Sequence, residues 1–383
     1  MIAGEARPGH ASRSPDFRGA CVSRKLDGPD LSNGKFESRS LGLLRSRKPF
    51  TNDRLATGIL VVLAAVAAIA FIDKFGVEPA RADEIFITNE KDNSVSVIDS
   101  KSLEVVRTLR VGQRPRGVIS SRDGKTLYVC SSDSNEIQII DPIDGKRIFE
   151  LPQIADPEQL VLTADEKLLL TTNEEDNTVT AVDLLTRKII AEIPVGVEPE
   201  GIAISPKGNV AVATSETTNM VHFIKMDGFE VFDNVLVSAR PRVAEFSPDG
   251  TKLWVTSEVG GVATIIDVAT RKIEKEIKFE IQGVGAQHIQ PVGLRFTKDG
   301  LTAFVALGPA NRIAVVDTAS GTVKKYILVG SRVWQMILTP DNELLFTTNG
   351  GSNDVTVISV ATLAPVKSIK VGRQPWGAAV IAR

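Results

Sequence analysis

The sequence predicts an all-β chain: a seven-bladed β-propeller of four-stranded antiparallel blades, closed by the C-terminal strand pairing into the first blade. Three observations predict it. One unit of about 42 residues repeats seven times, three markers keep that step in a single phase, and every copy carries strand-type patterning. Self-similarity at a fixed period is the signature of a repeat architecture.

The first marker is the β-branched run Ile85-Phe86-Ile87-Thr88-Asn89, which recurs at 127–131, 169–173, 211–215, 253–257, 303–307 and 345–349. The last residues of the copies are separated by steps of 42, 42, 42, 42, 50 and 42. Asp99, Asp141, Asp183, Lys225, Asp267, Asp317 and Ser359 keep the same steps, as do Pro115, Pro157, Pro199, Pro241, Pro291, Val333 and Pro375. Each copy reads as four short strands. The first is the Thr-Asn run. The second alternates, as in Ser94-Val95-Ser96-Val97-Ile98-Asp99. The third is of the type 104–111, and the fourth follows Pro-x-Gly, as in Gly201-Ile202-Ala203-Ile204-Ser205. Asp-Asn precedes the second strand, and Asp123-Gly124, Asp249-Gly250 and Asp299-Gly300 follow the fourth; both are turn signals. No helical period follows residue 83, so four strands per unit match a propeller blade. The body opens on a Thr-Asn strand and ends on a Pro-x-Gly strand, 376–381, with no successor. That last strand therefore completes the first blade, which leaves no open edge in the ring.

Composition divides the chain near residue 83. Residues 1–54 hold 11 Lys plus Arg against 6 Asp plus Glu, residues 55–82 hold two of each, and residues 83–383 hold 32 against 39. A mildly acidic body without a basic stripe argues against nucleic acid as a partner. Its 301 residues suffice to bury on the order of 75% of the unfolded surface. Cys130 is the one cysteine of the body, so the body has no internal disulfide and no cysteine-rich zinc site. Its place at a strand end reads as a small buried hydrophobe.

The leader reads as a targeting segment. Residues 1–54 are rich in Arg, Ser, Gly and Pro, lack apolar periodicity and read as disordered; an overlong start assignment is the simplest account of them. Leu55–Ile72 is an uncharged run of 18 residues, preceded by Arg45, Arg47, Lys48 and Arg54 and followed by Ala80-Arg81-Ala82. Segment 55–82 is thus a signal peptide cleaved before Asp83, or an uncleaved inner-membrane anchor through 55–72. Either way the body is expected in the periplasm.

With its Phe-x-Thr-Asn strands, Val-x-Val-Ile-Asp strands, Val-Gly exits and Pro-x-Gly-x-Ala-x-Ser-Pro connections, the chain from 85 to 381 resembles the YVTN-repeat β-propellers. Within them it is similar to the proteins associated with catabolism dependent on pyrroloquinoline quinone (PQQ). The resemblance implies an exported seven-repeat propeller that works beside a quinoprotein alcohol dehydrogenase, a c-type cytochrome and a transporter. It implies no reaction, and PQQ enters only by that association. Lys225 and the Ala306-Leu307 and Val333-Trp334-Gln335 segments depart from the pattern.

The connections into the fourth-type strands share one face with those after Thr-Asn, around the channel mouth. Around the ring that face carries Arg114 and Arg116, Asp156 and Glu158, Glu198 and Glu200, and Arg240 and Arg242. Gln290 and Val292, Arg332 and Trp334, and Gln374 and Trp376 complete it. Two readings follow. The charges of neighbouring blades neutralise one another in a salt-bridge ring that closes the mouth, or the mouth is a polar-aromatic binding site. In the second reading Arg116, Glu158, Glu200, Arg242, Arg332, Trp334 and Trp376 bind a ligand or partner, with the two tryptophans as stacking surfaces. The longer step marks an insertion at 279–290 on the same face, bearing His288, which is either a ligand or simply solvated.

No catalytic residue and no metal ligand is assigned. One cysteine forbids the vicinal disulfide usual over a quinone, and no haem-attachment, nucleophile-elbow, phosphate-loop or dinucleotide motif is present. Asp92, Asn93, Asp176 and Asn177 suit turns better than Ca2+. The expectation is therefore a non-enzymatic binding or scaffold propeller, monomeric, serving a PQQ-dependent oxidation system. The alternatives are a lactonase-like hydrolase recruiting Glu158, Glu200, Arg116 and His288 at the mouth, or an envelope interaction protein.

Overall fold

The structure, a computed structural model, describes residues 82–383, and the readings of the leader lie outside the described residues. Seven four-stranded antiparallel sheets form, one for each predicted repeat. Blade 1 joins Glu84–Asn89, Ser94–Asp99 and Glu104–Arg110 to the C-terminal strand Pro375–Ile381. Blades 2 to 7 begin at Pro115, Pro157, Pro199, Pro241, Leu294 and Val333. Two short 3-10 turns, Ser132–Ser134 and Ala286–His288, are the helical elements among the described residues. The closing strand pairs Val380 with Ile85 and Ala378 with Ile87, as the phase of the repeat predicts. Arg383 then reaches back to Glu84 at 2.8 Å.

Apolar side chains of the inner three strands fill the spaces between blades. Phe86, Val97, Val118, Leu127 and Ile140, for example, form one cluster across blades 1 and 2. Outermost strands alternate toward solvent, so 104–110 buries only Leu109.

The Thr-Asn marker now has a physical cause. In blade 1 the Thr88 hydroxyl accepts the N–H of Gly377 at 2.7 Å within its own blade and donates to the carbonyl of Arg116, in the next blade, at 2.8 Å. Thr172, Thr214, Thr256 and Thr348 donate likewise to the carbonyls of Glu200, Arg242, Val292 and Trp376. In these five blades the marker thus bolts the blade to the next at the residue after the Pro-position of its inner strand, while Cys130 and Ala306 stand at the same position in blades 2 and 6. The following Asn turns inward: Asn173 donates to the hydroxyls of Thr178 and Thr180. Glycine in Pro-x-Gly lets neighbouring inner strands meet, since a Cβ on Gly201 would stand 2.2 Å from the Arg242 carbonyl.

The Asn of Asp-Asn is turn chemistry, as predicted. Asn93, Asn135, Asn177, Asn219, Asn311 and Asn353 all adopt left-handed φ, which Asn tolerates. Their Oδ1 atoms accept the N–H of Arg114, Asp156, Glu198, Arg240, Arg332 and Gln374. Blade 5 has Gly261 at this position, and the insertion 279–290 follows where the clamp is missing. Lys225 has an equally local reason. The Asp at that step caps its turn, as Asp183 accepts the Thr186 N–H, whereas blade 4 turns on Gly228 at φ +90.

Candidate functional site

Backbone bonds join the two connections that each blade sends to one end of the axis. The N–H groups of Glu174, Glu216 and Glu258 donate to the carbonyls of Asp156, Glu198 and Arg240. The residue after each Thr-Asn strand therefore stands beside the side chains flanking the Pro of the neighbouring connection. Arg114, Asp156, Glu198 and Arg240, each just before that Pro, and Arg332, before Val333 at the same step, hold left-handed φ between 39 and 58.

Arg116, Glu158, Glu200 and Arg242 come together at this mouth. Arg116 lies 2.7 Å from Glu158, 2.7 Å from Glu90 and 3.5 Å from Glu200. Arg242 lies 2.9 Å from the same Glu200 oxygen and pairs with Glu216 and, at 3.7 Å, with Glu258. Arg114 pairs with Glu158, and lies 3.3 Å from Asp156 and 3.6 Å from Glu174. Arg240 approaches Glu216 at 2.7 Å, and Arg332 approaches Glu258 at 2.9 Å. The guanidinium of Arg116 lies 4.4 Å over the ring of Trp376, and that of Arg332 lies 4.3 Å over Trp334. Such stacking adds about 0.5–2 kcal/mol per pair.

The mouth is thus filled by its own side chains. Glu158 is fully buried, and Glu200, Arg242 and Trp376 are each at most 5% exposed. Trp376 is not a free stacking surface, because Arg116 covers it; Trp334 is half-buried beneath Arg332. His288 is exposed on the 3-10 turn of the insertion, with no side-chain bond to the cluster. The salt-bridge ring and the aromatic mouth prove to be one structure. Its arginines neutralise the carboxylates and cap the tryptophans.

Sequence reasoning missed five of the acids, Asp133, Glu90, Glu174, Glu216 and Glu258. The signal of the four glutamates was present, since each directly follows a Thr-Asn marker and so keeps the 42-residue step. With them, eight carboxylates (also Asp133, Asp156, Glu158 and Glu200) surround five arginines. Burial pushes the Glu158 carboxyl well up, against the pull of Arg116 and with the help of Glu200. Burial likewise raises Glu216 to about 7, opposed by Arg242 and reinforced by Glu200. For Arg116, burial favours the neutral form, but Glu158, Glu200 and Glu90 more than reverse it and raise its pKa. Asp156, Glu158 and Glu174 bring carboxylate oxygens within 4.8 Å of one another, a cation-like spacing. The Arg114 guanidinium already serves all three.

No family model matches the chain. It is 38% identical over 89 residues to the uncharacterized protein YncE of Salmonella typhi, and equally to that of Salmonella typhimurium. The match covers 21% of this chain and spans 25% of the length of those relatives. Among solved structures, Kuenenia stuttgartiensis hydrazine synthase aligns at TM-score 0.66 and 22% identity, over 72% of this chain and 92% of that one. A Lactobacillus plantarum protein aligns at 0.69 and 15%, over 79% and 99%. A candidate 6-phosphogluconolactonase from Bacteroides uniformis aligns at 0.67 and 16%, over 79% and 100%. Identities this low speak for fold alone: the chain is a seven-bladed β-propeller.

Proposed function

We propose that this protein is an exported, non-enzymatic binding propeller whose mouth-side face docks a partner protein. The observation that carries the reading is the closed mouth: Arg116, Glu158, Glu200 and Arg242 pair with one another where an active-site propeller would need an open cleft. A surface of this kind recognises by charge and shape over an area. Five consecutive connections on that face, at 132–135, 153–156, 174–177, 195–198 and 216–219, carry seven acidic residues and no Lys or Arg. Asp133, Glu175 and Asp176 among them are exposed. The sector fits a positively charged partner.

The setting we infer is the one the repeat resemblance implies. It is a periplasmic chain beside a quinoprotein alcohol dehydrogenase, its cytochrome c or a transporter, with PQQ held by the dehydrogenase. The test is a binding titration of the full chain against a basic c-type cytochrome and a quinoprotein dehydrogenase at low and high salt. Binding should weaken steeply as the Debye length falls below about 8 Å, and Glu175→Lys with Asp176→Lys should cost at least about tenfold. Binding that ignores both salt and charge reversal would sink the acidic-sector reading.

A lactonase-like reading has one observation in its favour: burial pushes the Glu158 carboxyl well up and raises that of Glu216 to about 7, as a general acid or base requires. Against it, both are paired with arginine, and His288 stands outside the cluster.

A further inference from the structure

We propose that the opposite end of the axis, the floor, holds a binding site for a small monocarboxylate with a short apolar chain. The site lies at the other end of the inner strands from the mouth and does not rest on the reading above. The inner strands of blades 2 and 3 run from the mouth to floor turns, where the Ser121 N–H bonds Thr126 and the Thr163 N–H bonds Leu168. Between these turns and the closing strand of blade 1 opens a cavity of about 370 Å³. That size falls among small-ligand pockets, which run from about 300 to 1,000 Å³.

Its walls are apolar: Ile119, Val161, Leu162 and Val380 line it, each only half-buried although it stands on an inner strand. Arg122 stands at the rim. Its Nη2 donates to the Ala164 carbonyl at 2.9 Å, and among the described residues no carboxylate lies within ion-pair distance of its guanidinium. By contrast, Glu245 and Arg295, at the repeat position of Ile119 and Val161 in blades 5 and 6, pair with each other at 2.8 Å.

A planar guanidinium fork matches a carboxylate in two parallel hydrogen bonds, and the walls behind it receive an acyl chain. Glu166 also lines the rim, so the site carries about as much negative as positive charge. That balance favours a monoanion over a dianionic phosphate.

The test is calorimetric titration of the full chain with butanoate, hexanoate, hexanol and inorganic phosphate. Hexanoate should bind saturably, and hexanol and phosphate at least about tenfold more weakly, the scale of one charge-assisted pair of hydrogen bonds. Arg122→Gln should lose the same factor, and Val161→Trp should abolish binding by filling the cavity. Circular dichroism and Tm check that both variants fold, and Trp334→Ala, at the mouth, should leave binding unchanged. No saturable heat with either acid up to about 10 mM, ten times a millimolar dissociation constant, overturns the proposal. So does equal affinity for hexanol and hexanoate, or an Arg122→Gln protein that binds as the parent does.

Discussion

Replacing Glu216 by glutamine should stabilise the protein at alkaline pH, although it deletes two ion pairs. The side chain is 4% exposed and lies between Arg242 and Arg240, with Glu200 and Glu258 close by. Burial holds its pKa near 7 in the folded state, against an ordinary 4.5. The folded protein therefore keeps a proton that the unfolded chain has released. Stability from this group is fully present below pH 4.5 and is lost as pH rises through 7. At 1.36 kcal/mol per pH unit, the loss between pH 5 and pH 8 is about 2–3 kcal/mol. Glutamine has no proton to lose, and Arg242 and Arg240 keep Glu200 and Glu258. Urea unfolding of parent and variant at pH 5, 6, 7 and 8 reads the effect. The two should be nearly equal at pH 5, and the variant should be ahead by that amount at pH 8. Parallel pH profiles would refute the reasoning, because they would mean that Glu216 is fully ionised in the fold.

The inter-blade bolt predicts that Thr172→Val costs about 1–3 kcal/mol in urea unfolding, since the buried Glu200 carbonyl loses its donor. Cys130 occupies the equivalent position in blade 2, so Cys130→Thr should add roughly 1 kcal/mol by supplying the hydroxyl that this blade lacks. In the parent protein burial raises the Cys130 thiol, which should not react with a thiol reagent until urea unfolds the chain. Gly201→Ala sets a methyl 2.2 Å from the Arg242 carbonyl and should cost about 1–3 kcal/mol, measured the same way.

The ring was legible because each blade solves the same problem with the same residues. Thr88 and its equivalents, Asn93 and its equivalents, and the Pro-x-Gly glycines are fixed by backbone contacts that recur in most blades, so they recur in sequence. The mouth was half legible. Arg116, Glu158, Glu200 and Arg242 were found because they flank a marker. Their partners Glu216 and Glu258 follow a different marker, and only the bond from each of their N–H groups to the neighbouring connection brings the two sets together. The burial of Trp376 was not legible, because it depends on which way Arg116 lies, and that is set by Glu90, Glu158 and Glu200 at once. The floor cavity left no motif, since Arg122 is defined by the partner it lacks.

The most direct test of a closed, non-catalytic mouth is steady-state hydrolysis of a panel of lactones, including 6-phosphogluconolactone, by the full chain and by Glu158→Gln. The account predicts rates equal to buffer for both proteins. Saturable turnover by the parent that Glu158→Gln abolishes would contradict it and make the mouth an active site.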